Sequence, residues 1–82
     1  MTDVGNAVKQ YILKEFLPGQ DPAELTESTP LITGGILDSL ATMKLVMFLE
    51  QQFGFTMQAH ETDADHLDTI ALIEELVRAK SA

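Results

Sequence analysis

Residues 38–54 read Asp-Ser-Leu-Ala-Thr-Met-Lys-Leu-Val-Met-Phe-Leu-Glu-Gln-Gln-Phe-Gly. Leu45, Val46, Leu49 and Phe53 recur at helical spacing, which predicts a helix over Ser39 to Phe53 with one core-facing stripe. Asp38 or Ser39 is placed to cap its start, and Gly54 falls at the position where a helix ends in a left-handed residue. Leu40, Met43 and Met47 fall on another face. A helix apolar on more than one face is either fully buried or has a partner. A chain of 82 residues has little interior to offer, so this second stripe is expected at the surface. There the adaptable methionine side chain suits contact with several partners.

Working outward, Val4, Ala7, Val8, Tyr11, Ile12 and Phe16 define a first helix, with Thr2 or Asp3 as cap and Pro18-Gly19 as stop. Ile70, Ile73, Leu76 and Val77 define the last one. Asp68 or Thr69 caps it, and Arg78 and Lys80 complement the dipole at its end. His60 to His66 is polar and acidic and fits a short third helix, preceded by an extended connector at Phe55-Thr56-Met57. Gln20 to Asp38 has no period and holds two prolines and two glycines. Leu25, Leu31, Ile32, Ile36 and Leu37 are expected to pin it to the helices, making an ordered loop with a short helical turn near Pro22 to Leu25. The expectation is an all-α fold: a small four-helix bundle, three main helices and one short, forming a single domain over residues 1–82.

Thirteen acidic against five basic residues give a net charge of −8, which repels nucleic acid and anionic membranes and attracts basic protein patches. The chain has no cysteine, so any thioester chemistry must draw its sulfur from a cofactor. No apolar run reaches the ~18 to 20 residues that span a membrane, and the first ten residues carry neither a basic leader nor an apolar signal core. A monomer in the cytoplasm is expected.

Ser39 is the candidate site. A small hydroxyl at a helix start, after the Gly34-Gly35 loop, would place a phosphodiester at the positive end of the helix dipole, near free backbone amides. Asp38 beside it is placed to help hold a divalent cation during phosphoryl transfer. The plain alternative is that Asp38 or Ser39 does nothing but cap the helix. The surroundings lack a Gly-x-Ser-x-Gly elbow and a preceding strand, so no catalytic residues are assigned. Gly34-Gly35 is not a phosphate-binding loop, since no Gly-Lys-Ser/Thr follows, and instead supplies unusual backbone angles or close approach. His60 and His66, with Glu61, Asp63, Asp65 and Asp68, lack the spacing of a metal or calcium motif. These acids read as a solvated face that meets basic patches on partners.

Gly35-Ile36-Leu37-Asp38-Ser39-Leu40, then Leu45-Val46-Met47 and Leu49-Glu50 through Phe53, with Thr69-Ile70 later, resemble the acyl and peptidyl carrier proteins. The resemblance covers nearly the whole chain in length, helix order and long first loop. It implies that Ser39 receives a 4′-phosphopantetheine arm from coenzyme A through a magnesium-dependent phosphopantetheinyl transferase. The arm then carries an acyl or aminoacyl group as a thioester. It implies a carrier and not an enzyme, partnered by an acyl- or aminoacyl-loading enzyme and an acyltransferase or synthase. Leu40, Met43, Lys44 and Met47 match positions that meet partner enzymes, and Ile36 and Leu37 match the approach to the serine. Carriers of fatty-acid synthesis commonly bear acids at the positions of Ala41, Lys44 and Gln51, where this chain is neutral or basic, keeping only Asp38 and Glu50 nearby. That departure favours a free-standing carrier of polyketide or nonribosomal peptide synthesis over one of fatty-acid synthesis. The rival from another class is a non-covalent acidic adaptor that uses the same helix face.

Overall fold

The structure is a computed structural model and describes residues 4–81. Four helices follow in order: α1 (Val4–Phe16), α2 (Ser39–Phe53), the single turn α3 (Ala64–Leu67) and α4 (Ile70–Ser81). Short 3₁₀ turns lie at Pro22–Glu24 and Ala59–Glu61. There is no strand among the described residues. The all-helical bundle expected from the periodicities is therefore the fold, with the short third helix split into a 3₁₀ turn and one α-turn. The expected caps of α1, Thr2 and Asp3, lie outside the described residues.

The core forms where α1, α2 and α4 pack on one another. Val8 and Ile12 of α1, Leu45 and Leu49 of α2, and Ile70, Ile73 and Val77 of α4 are fully or almost fully buried. Each such side chain contributes about 1.5–3 kcal/mol by leaving water. Of the other residues of the α1 stripe, Val4, Tyr11 and Phe16 pack on the core's margin and Ala7 is half-buried. Tyr11 stacks on Phe48 of α2 with centroids 4.1 Å apart and donates its hydroxyl to the Lys44 carbonyl at 3.2 Å, tying the two helices together. Burial first, and the Glu15 carboxylate second, push the Tyr11 hydroxyl pKa up.

The long loop between α1 and α2 is pinned as the sequence predicts. Leu25, Leu31 and Leu37 enter the core, while Ile32 and Ile36 are half-buried against it. The Leu37 amide donates to the Leu31 carbonyl at 2.8 Å, closing residues 31–37 into a ring of backbone. Gly34 and Gly35 both answer geometric needs in that ring. A Cβ at Gly34 would run into the Pro30 carbonyl oxygen, and Gly35 has φ +82°, a left-handed conformation that side chains disfavour.

Candidate functional site

Asp38, not Ser39, caps α2. The Asp38 backbone is extended, and its Oδ1 accepts the Ala41 amide at 2.8 Å. Its carbonyl accepts the Thr42 amide and the Thr42 hydroxyl, each at 2.8 Å. Ser39 is the first helical residue, is exposed, and its hydroxyl has no hydrogen-bond partner among the described residues. The division of labour follows from position: a cap must lie one residue before the helix, where its side chain can turn back onto free amides. Ser39 is thus left with a hydroxyl that serves no structural bond, at the positive end of α2.

Beside Ser39 opens a cleft of about 820 Å³. Ser39, Thr42, Met43, Val46, Met47 and Glu50 form its α2 side, Ile32 and Leu37 its base, and Thr62, Asp63 and Ala64 the facing wall. That wall is fixed by polar bonds. Glu61 Oε1 accepts Lys80 Nζ of α4 at 2.8 Å and the Gln58 amide at 2.8 Å, and Asp63 Oδ1 meets His66 Nδ1 at 3.0 Å. Hydrogen bonding from Lys80 holds the Glu61 pKa below its ordinary value, and bonding from His66 does the same for Asp63. Of the acids expected to meet basic patches on partners, Glu61, Asp63 and Asp68 also make bonds within the fold. The His66 ring is drawn to Asp63, and no cluster of three or more metal-ligating side chains occurs among the described residues.

Leu40, Met43 and Met47 are 64%, 65% and 55% exposed, so the second apolar stripe of α2 lies in solvent as the sequence predicts. Lys44 is exposed next to it. Leu37 corrects an expectation: expected beside Ile36 on the approach to the serine, it is 3% exposed and offers partners no surface, because it anchors the loop in the core. Ile36 remains half-buried at the ring's tip. Ala41 is corrected in the same way. It is buried against the core, so its lack of charge says nothing about docking, and the reduced acidity of the face rests on Lys44 and Gln51. Asp38 and Glu50, the acids kept near that face, each have one oxygen engaged on backbone, Glu50 Oε2 accepting the Met57 amide at 2.8 Å.

No protein-family profile matches the chain. Among curated proteins it is similar to "Acyl carrier protein 5, chloroplastic" of Arabidopsis thaliana, 40% identical over 75 residues that cover 87% of this chain. The chain belongs to the acyl carrier protein family. It spans about half the length of that plant relative, 52%. Two features of this acyl carrier family member were not legible in sequence. One is the Thr62–Ala64 wall, which the fold brings opposite α2 and the Lys80–Glu61 pair helps to hold. The other is Asp68. Thr69 alone caps α4, its Oγ1 accepting the Leu72 amide at 3.1 Å, while the Asp68 carboxylate turns away to the loop before Ser39. No helix among the described residues is long and apolar enough to cross a membrane.

Proposed function

We propose that this single-domain chain is a carrier whose Ser39 takes a 4′-phosphopantetheine group from coenzyme A and presents the attached cargo to partner enzymes. The observation that carries this reading is the exposed Ser39 hydroxyl, which is not the cap of its helix and which borders an apolar-sided cleft. The residues suit the group: a nucleophilic oxygen in solvent, and beside it a cleft running along α2 from Ser39 to Glu50.

In the modification, Ser39 Oγ attacks the phosphorus that bears pantetheine in coenzyme A. The bond from that phosphorus to the nucleotide's phosphate oxygen breaks, and adenosine 3′,5′-bisphosphate leaves with the bonding electrons. The serine proton passes to a base on the transferase. Asp38 has a second carboxylate oxygen to turn toward the transferase's magnesium. Once attached, the arm supplies the thiol that the cysteine-free chain lacks. The chain itself orients: α2 holds Ser39 at its first turn, and Leu40, Met43, Lys44 and Met47 offer an apolar docking strip with one cation for the loading enzyme and the acyltransferase or synthase.

Two observations bear on the pathway. Exposed Lys44 and Gln51, in place of acids, favour a specialised polyketide or nonribosomal peptide pathway. The likeness to a plant protein named as an acyl carrier favours an acyl cargo, including that of fatty-acid synthesis.

The test is intact-protein mass before and after incubation with coenzyme A, magnesium and a broad-specificity phosphopantetheinyl transferase. The expected result is a gain of one phosphopantetheine in the wild type and none in Ser39→Ala. A folded wild type that gains nothing, and carries no arm from expression, refutes the carrier reading and leaves the adaptor. Mass analysis of the thioester on protein purified from its source then reads the cargo directly.

A further inference from the structure

The residue that fixes the approach to Ser39 lies far from it in sequence. Asp68 stands at the junction of three elements. Its amide closes α3 by donating to the Ala64 carbonyl at 3.1 Å, and Thr69, the cap of α4, follows at once. Its remaining acceptors all go to the loop: its carbonyl takes the Leu31 amide, its Oδ1 takes the Ile32 and Thr33 amides at 2.9 Å each, and its Oδ2 takes the Thr33 hydroxyl at 2.9 Å. Three consecutive loop residues thus hang from one residue.

Those three residues open the closed ring of residues 31–37. The Gly35 amide donates to the Ile32 carbonyl at 3.1 Å and the Leu37 amide to the Leu31 carbonyl at 2.8 Å, after which Asp38 caps α2. Fixing residues 31–33 therefore sets the conformation of the ring, of half-buried Ile36 within it, and of Ile32, which lines the cleft beside Ser39. A carboxylate spanning two successive amides is a strong, directional anchor because both donors point at one charge. Every side-chain bond of Asp68 goes to this loop, and thus its ordering is the residue's evident work.

We infer that Asp68 is a positioning residue for the modification of Ser39: it holds residues 31–37 in the pose that a phosphopantetheinyl transferase recognises. This rests on the carrier reading. A transferase that must first order this loop meets a carrier that is competent only part of the time, and its apparent affinity falls by the competent fraction. The loss falls on KM, with kcat little changed, because the bound complex has the same geometry once formed.

The experiment measures transfer from coenzyme A to the full chain by wild type, Asp68→Ala, Asp68→Asn and Thr33→Val, at a temperature where circular dichroism shows each to be folded. Asp68→Ala is expected to raise KM for the carrier about tenfold with kcat within about twofold, as a loop competent about one-tenth of the time requires. Asp68→Asn keeps an oxygen for both amides and is expected within about threefold of wild type, a rescue that charge steering would not allow. Amide exchange at Ile32 and Thr33 should accelerate in Asp68→Ala, while Leu45 and Leu49 stay protected. A folded Asp68→Ala with wild-type KM and kcat overturns the inference, as does an Asp68→Asn as impaired as Asp68→Ala. Should Asp68→Ala fail to fold, Thr33→Val decides: a raised KM supports the positioning role and a wild-type KM overturns it. A wild type that is not modified at all removes the carrier reading instead, and is told apart by that.

Discussion

Exchanging either residue at the start of α2 for alanine separates a structural role from a functional one. Asp38 Oδ1 accepts the Ala41 amide at 2.8 Å, so Asp38→Ala leaves a first-turn amide without its protein partner. Such losses cost about 0.5–2 kcal/mol. In a domain of this size about 1 kcal/mol corresponds to a drop in Tm of roughly 4–8 °C. Ser39 is exposed and its hydroxyl has no partner among the described residues, so Ser39→Ala removes no bond and gains slightly in helix propensity. Its Tm is expected to stay within about 2 °C of wild type, as surface substitutions away from special features do. Thermal unfolding followed by far-ultraviolet circular dichroism reads both variants, and the mass assay reads modification of the same samples. The expected pattern is a stable Ser39→Ala that cannot be modified beside a weakened Asp38→Ala that keeps the acceptor hydroxyl and is modified, but more slowly, because it lacks the carboxylate offered to the transferase's magnesium. If Ser39→Ala unfolds as early as Asp38→Ala, its hydroxyl is holding the helix, and the observation on which the carrier reading rests is gone.

Other perturbations follow from the same geometry. Leu31→Ala empties a fully buried site at the root of the loop and should cost about 2–5 kcal/mol, read as a lowered urea midpoint; an unmoved midpoint would mean that the loop is not pinned there. Gly34→Ala drives a Cβ against the Pro30 carbonyl oxygen and should cost about 1–3 kcal/mol in the same assay. Met43→Asp and Met47→Asp alter exposed positions, so stability should move by less than about 0.5 kcal/mol while binding to a loading enzyme, measured by calorimetry, weakens; unchanged binding would take the α2 face out of the interface. The pKa values of Asp68, Glu61 and Asp63 are all lowered, by the Thr33 amide, Lys80 and His66 first respectively. A carboxylate with a depressed folded pKa stabilises the fold above its unfolded pKa and loses that contribution as pH falls through the folded value. Tm should therefore hold near neutrality and fall below about pH 4, and Asp68→Asn should show a shallower acid decline.

Sequence alone determined the elements. The spacing of Val8 and Ile12, of Leu45 and Leu49, and of Ile70, Ile73 and Val77 fixes three amphipathic helices, because helical periodicity is a local property of the chain. It also placed Ser39 where a loop meets a helix and set Leu40, Met43 and Met47 on a face apart from the core stripe, whose exposure the folded structure decided. Tertiary structure decided what those positions can do. Whether Asp38 or Ser39 caps α2 depends on backbone angles that both residue types permit, and only the folded loop selects Asp38. Leu37 and Ile36 are neighbours with the same apolar character, yet one enters the core and the other does not, because the ring closed by the Leu31–Leu37 bond sets which side chain turns inward. Asp68 reads in sequence as one more helix cap. Its hold on Ile32 and Thr33, 36 and 35 positions away, exists only once α3, α4 and the loop share one corner, since a hydrogen bond between distant residues leaves no periodic trace in the chain.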